Sequence, residues 1–224
     1  MRYLWQMFVL LGLIGSNSFA GDKTVVGNQR ETTRPRLRNL GLSIGVLPVG
    51  PTNSITDVAG VQVGHVTRSE GDAVRTGVTV VKPIQENIFL QKIPAAVHVA
   101  NGFGKFVGTT QIEELGVIET PIVLTNTLST FLAADALVGW MLKQPGCESV
   151  RSVNPVAAEC NDGYLNDIRR RCVTARDVEQ ALQNARGGLV EEGCVGAGTG
   201  MRCMGWKGGI GSSSRALPKS LGGY

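Results

Sequence analysis

From Asn53 onward the chain alternates short apolar runs with turn residues, a rhythm of brief strands and helices rather than long ones. Ile55–Val58 reads as strand and leads to a turn at Ala59-Gly60. Val61-Gln62-Val63 then alternates apolar and polar positions as a half-buried strand does. Gly77–Val81 and Ala95–Ala100 are further strand candidates, the second closed by the turn residues Asn101-Gly102-Phe103-Gly104, with His98 read as a core histidine. A short helix is predicted over Thr110–Leu115, ending at Gly116, which suits a left-handed cap. Pro121–Leu124 is a short apolar strand running into Thr125-Asn126-Thr127. A longer helix is predicted over Ser129–Lys143, stopped by Pro145-Gly146. Val153–Glu159 reads as strand. Thr174-Ala175-Arg176-Asp177 resembles a capping box with Asp for Glu, opening a helix whose Val178, Ala181, Leu182 and Ala185 keep helical spacing up to Gly187-Gly188. Interleaved strands and helices give a mixed α and β class, α+β, with no internal repeat.

The first 20 residues follow a different pattern. Arg2 precedes an apolar run from Met7 to Ile14, a polar stretch, and Ser18-Phe19-Ala20, so a signal peptide cleaved after Ala20 is expected. The run is too short to span a bilayer, and no membrane association is expected once it is removed. Residues 21–35 are polar and read as a flexible arm, leaving 36–224 as the folded part, in the periplasm or secreted.

Composition adds little except glycine. Apolar residues are 42% and charged residues 18%, ordinary for a globular protein. The 30 glycines are about twice the usual share and imply tight turns and close backbone approaches. The net charge of +4 includes Arg2, and the one basic run, Arg169-Arg170-Arg171, has no interleaved aromatics, which argues against nucleic acid. An exported chain makes one or two disulfides possible among Cys147, Cys160, Cys172, Cys194 and Cys203, with the pairing open. No metal is expected: His65 and His98 lack ligand spacing with the cysteines.

Three stretches invite chemistry. Gly196-Ala197-Gly198-Thr199-Gly200 resembles a phosphate loop, yet the helix and the acidic residue that should follow are missing. Ser212-Ser213-Ser214 suggests a nucleophile, but neither an elbow motif nor a histidine in place supports one. Asn161–Asp167, after a strand, sets amides and carboxylates around Tyr164, whose hydroxyl could donate to an oxyanion.

Eight segments in order resemble the DmpA-like family of L-aminopeptidase/D-esterases and β-peptidyl aminopeptidases, the self-processing peptidase family S58. They are Arg38–Leu42, Asn53–Val58, Val61–His65, Arg75–Thr79, Leu124–Thr127, Asp162–Ile168, Gly196–Gly200 and Lys207–Arg215. The resemblance implies an αββα sandwich of the DmpA/ornithine-acetyltransferase type, incomplete here. It implies a precursor that cuts itself once, exposing a Ser or Thr whose own α-amine serves as base. The activity implied is a serine-type aminopeptidase that removes N-terminal residues from small peptides, amides or esters through an acyl-enzyme. Tyr164 is similar to the family's oxyanion-side tyrosine, and Asn126 and Asp135 fall near the expected cleft as substrate contacts. The nucleophile is expected beyond Tyr224, so this chain is expected to be an α-subunit portion, inactive without its β-subunit. No cofactor is implied, and a homo-oligomer is expected. Alternatives are an ornithine-acetyltransferase-like acyl transferase and a non-catalytic secreted binding module.

Overall fold

Residues 35–222 are described by a computed structural model of the chain. The expected signal peptide and nearly all of the expected arm lie outside them. The described residues belong to two units, 35–46 and 47–222. In the first, Leu37–Leu40 forms a 3-10 turn closed by Gly41 at φ 78°. The second begins with another 3-10 turn, Ile55–Asp57, where the sequence pattern reads as strand. Asp57 explains the difference. Its carboxylate accepts from the Thr52 and Ser54 amides at 3.0 and 3.1 Å and curls the backbone around itself.

The central sheet begins with a hairpin, β1 (Gln62–Glu70) and β2 (Val74–Lys82), antiparallel throughout from Gln62↔Lys82 to Glu70↔Val74. Two short strands, β3 (Ile93–Pro94) and β4 (Val117–Ile118), form a separate ladder, with α1 (Thr109–Leu115) between them in sequence. Gly116 ends α1 in the left-handed conformation expected of it. The Ala95–Ala100 segment is not a strand, because β4 offers only a two-residue edge. One further bond, Ala95 N–H to Gly116 O at 2.8 Å, completes the pairing. Ala95 and Val97 alternate because they lie against a small core of Ile88, Ile112, Ile118 and Met141, and His98 is exposed rather than core.

β5 (Ile122–Asn126) pairs antiparallel with β2, then a 3-10 turn at Thr127–Ser129 enters α2 (Thr130–Met141). β6 (Val156–Cys160) lies parallel to β5, giving the order β1-β2-β5-β6. It starts three residues later than the apolar pattern suggests, since Pro155 has no N–H to give a ladder. α3 (Ala175–Gln183) has the predicted capping box: Thr174 N–H donates to Asp177 Oδ2 at 2.8 Å, and Asp177 N–H returns to Thr174 Oγ1 at 3.4 Å. A last hairpin, β7 (Arg202–Cys203) and β8 (Trp206–Lys207), follows.

Helices α2 and α3 pack side by side on one sheet face. Val78, Val80 and Val123 from the strands meet Ala133, Leu137, Val178 and Ala181 from the helices. Arg68 on β1 reaches Asp177 Oδ1 at 2.8 Å, so the carboxylate that caps α3 also ties it to the sheet. On the other face the Gly196–Gly198 turn sits over β2, its Ala197 N–H donating to Thr79 Oγ1 at 3.0 Å. Gly196, at φ 52°, leaves no room for a Cβ beside Thr79 and His65, so this glycine-rich stretch packs against the sheet and does not line a phosphate site. Among the described residues no helix is long and apolar enough to cross a membrane. All five cysteines are free thiols.

The serine run closes the unit onto its own start. Ser214 Oγ donates to Asp57 Oδ2 at 2.5 Å, and Ser212 Oγ accepts from Ile55 N–H at 2.7 Å. These hydroxyls hold two distant segments together. The Ser214 and Thr52 hydroxyls hold the Asp57 carboxyl far below the usual range. An acid with a lowered folded pKa contributes stability above its unfolded value and loses it as pH falls. Asp57→Asn is therefore expected to lower the urea midpoint at pH 7, with the gap to wild type narrowing below about pH 4. A gap that stays constant with pH would refute the assignment.

Candidate active site

The parallel pair β5–β6 runs in register from Ile122↔Val156 to Asn126↔Cys160, so both strands release their chains at the same edge. In sheets with parallel strands, that carboxyl edge is where sites assemble. Here β5 passes directly into the first turn of α2. Asn126 caps that turn through Oδ1, which accepts from Ser129 N–H at 3.0 Å. Its Nδ2 donates to Thr76 Oγ1 on β2 at 2.8 Å. Thr127 Oγ1 makes a very short bond to Glu159 Oε2, and Glu159 Oε1 accepts from Lys105 N–H at 3.1 Å.

The loop after β6 is anchored from within. Asp162 is fully buried; its Oδ1 accepts from Asn166 Nδ2 at 3.0 Å, and its carbonyl accepts from the Leu165 and Asn166 amides. Asn166 Oδ1 in turn accepts from Arg75 N–H at 3.1 Å, and Asp167 N–H donates to Ala73 O at 2.7 Å. With Asp162 and Asn166 directed inward, Tyr164 is turned outward and is 72% exposed. The Arg202 guanidinium lies 4.0 Å from the centre of its ring, a cation–π contact that fixes the ring plane.

The structure thus brings Asn126 and the Tyr164 loop to one edge, linked through Thr76 and Asp162. Asn126 is only 1% exposed, and both ends of its amide are engaged with the protein. Asp135 stands on the solvent face of α2 and shares no hydrogen bond or ion pair with Asn126 or Tyr164 among the described residues. Thr76, Glu159 and Arg202 were not singled out by sequence. A signal existed for two of them: a polar Thr76 inside the apolar β2 and an acid at the end of the apolar β6. Arg202 had none, since only the fold brings its hairpin against Tyr164.

Two buried oxygens at this edge, Ser129 Oγ and Asp162 Oδ2, have no hydrogen-bond partner among the described residues. Thr76 and Asn126 lie close enough to Asp162 to favour its charge without closing a bond to Oδ2. Burial prevails and raises the Asp162 carboxyl above the ordinary range. A raised acid favours folding below its unfolded pKa and loses that advantage as pH rises towards the folded value. Asp162→Asn, which cannot ionise, is expected to gain in urea midpoint relative to wild type as pH rises from 4 to 8. A difference that does not change with pH would show that Asp162 is not held in this way. Burial likewise pushes the Cys160 thiol up, which keeps it protonated and removes it as a nucleophile. No cluster of three or more His, Cys, Asp or Glu placed to hold a metal occurs among the described residues.

Comparison with known proteins agrees in sequence and in structure. A family model, peptidase family S58, matches residues 53–224. Beta-peptidyl aminopeptidase BapA of Sphingosinicella microcystinivorans is 41% identical over 227 residues, covering 97% of this chain and 53% of that protein. The same-named protein of Sphingosinicella xenopeptidilytica is 40% identical, covering 82% and 47%. A solved Burkholderia sp. beta-aminopeptidase superposes with a TM-score of 0.78 at 45% identity, covering 83% of this chain and 53% of that one. The L-aminopeptidase D-Ala-esterase/amidase of Ochrobactrum anthropi, described as a new variant among the Ntn hydrolase fold, gives 0.71 at 40% identity, covering 77% of this chain and 50% of that one. The chain spans about half the length of the curated relatives it matches. The fold is α+β, with the helix layer and one sheet of the αββα sandwich in view.

Proposed function

The chain belongs to peptidase family S58, and from that premise we propose that the protein is an aminopeptidase of the N-terminal-nucleophile kind. It removes N-terminal residues from small peptides, amides or esters. The nucleophile is a Ser or Thr exposed by one self-cleavage, in the part of the relatives' length that this chain does not span. Its α-amine takes the hydroxyl proton, the hydroxyl oxygen attacks the carbonyl, and the leaving amine departs with that proton. Water then hydrolyses the acyl-enzyme. This chain supplies the oxyanion side and is inactive without its partner segment. Export to the periplasm or beyond and assembly into a homo-oligomer complete the reading.

The observation that carries it is the presentation of Tyr164. A buried Asp162–Asn166 anchor leaves the Tyr164 side chain exposed on the loop at the carboxyl edge of two parallel strands. An exposed phenol hydroxyl on a ring stacked against Arg202 is a donor able to meet an oxyanion from the solvent side. Asn126 shapes that edge from beneath. Asp135 would touch substrate only from the outer face of α2. The test is release of nitroaniline from the p-nitroanilides of L-alanine and β-alanine. The protein carrying its nucleophile segment should release it from at least one and run as two pieces on a denaturing gel. Residues 1–224 alone should release none. An uncut, active polypeptide would remove the nucleophile reading, and no release from either substrate would remove the aminopeptidase reading.

A further inference from the structure

A polar cavity lies away from this edge, on the outer side of β1. It holds about 170 Å³ and is lined by Val63, His65, Arg186, Leu189, Val190 and Glu191, among others. That volume is below the roughly 300 Å³ of drug-sized sites, which limits any ligand to about one amino acid in size. Its position is fixed by main chain. Val63 N–H donates to Arg186 O at 3.0 Å and Arg186 N–H to Val63 O at 3.1 Å, so Arg186 is held as an added rung on β1. Asn184 Nδ2 donates to His65 O at 3.0 Å and holds the preceding turn against the same strand.

The orientation of His65 is also fixed. Thr79 Oγ1 accepts from Ala197 N–H at 3.0 Å and lies 2.9 Å from His65 Nδ1. That contact holds the imidazole ring against β2. Nε2 is buried and has no partner among the described residues. Burial also lowers the His65 pKa, the nearby Arg186 acting in the same direction and Glu191 against it, so the ring is neutral near pH 7. The cavity therefore offers a guanidinium, a carboxylate and three aliphatic side chains beside a neutral imidazole.

We propose that this cavity is a binding site for a small free amino acid held as a zwitterion. Arg186 receives the carboxylate, Glu191 receives the ammonium, and Val63, Leu189 and Val190 accommodate a short side chain, with the His65 ring alongside. A simple anion or cation satisfies only one half of this set, and a neutral solute neither. The proposed hydrolysis releases molecules of this class, yet the site rests on its own residues and not on that activity.

The chain has two histidines, which makes the test direct. β-Alanine or L-alanine is titrated into the purified protein while both imidazole ring resonances are followed by NMR. The His65 resonance should shift saturably and the exposed His98 should not. Acetate and ethylammonium, added separately, should leave His65 nearly in place. Arg186→Gln and Glu191→Gln, both at exposed positions, should each weaken binding by about tenfold, the scale of a charge-assisted pair. The proposal is overturned if His65 stays still at tens of millimolar amino acid, if acetate alone shifts it as far, or if both variants bind as wild type. None of these readings involves nitroaniline release, so the site and the hydrolysis stand or fall separately.

Discussion

Gly64→Ala is expected to lower the free energy of unfolding by about 3 kcal/mol or more, read as a drop in the urea midpoint. Gly64 lies where β1 meets the end of α3. A Cβ there would overlap the Ala181 carbonyl oxygen and stand 2.6 Å from Ala185 N and 2.9 Å from its Cα. All three are backbone atoms, so no side chain can rotate away. The helix must lift off, breaking the packing of Val178 and Ala181 on Val78 and Val80. Gly139→Ala is the matched control. Gly139 lies inside α2 with nothing within 4 Å of the added carbon, so alanine should raise stability by about 1 kcal/mol through helix propensity. Equal effects from the two substitutions would show that the close approach at Gly64 does not exist in solution.

Tyr164→Phe, in the protein with its nucleophile in place, is expected to lower kcat by about 10²–10³-fold with little change in KM, the usual loss for one oxyanion donor. The ring is 72% exposed, so removing its hydroxyl should leave stability unchanged. Arg202→Ala keeps the hydroxyl but removes the cation stacked 4.0 Å from the ring centre. Its loss should be no more than about fivefold, the worth of an exposed cation–π contact. A Tyr164→Phe enzyme with unchanged kcat would take the hydroxyl out of the chemistry. A raised KM with unchanged kcat would make Tyr164 a substrate contact instead.

Elements with local causes could be read from sequence. Gly116 closes α1, Thr174 and Asp177 cap α3, and the apolar run at Gly77–Val81 lies within β2. The misread elements were decided at a distance. Ile55–Asp57 curls because the Asp57 carboxylate gathers amides, hydroxyls and a serine from the far end of the chain. Ala95–Ala100 alternates like a strand, yet β4 offers too short an edge to complete one. β1 runs on to Glu70 because β2 gives it a partner along its whole length, which pattern alone could not show. At the site, the Asn161–Asp167 turn was visible as a cluster of polar residues around a tyrosine. Which side chains point inward was not, because that depends on Arg75 and Ala73 of the hairpin holding the loop down.

The carboxylate of Asp177 serves two structures with separate oxygens, Oδ2 at the start of α3 and Oδ1 at the Arg68 guanidinium. Helix ends ordinarily fray, and their first amides trade hydrogen for deuterium quickly. Here the first turn cannot unwind without also releasing a side chain from the middle of a strand. Those amides should therefore exchange on the slow timescale of the sheet, and the N-terminus of α3 should open in the same step as β1.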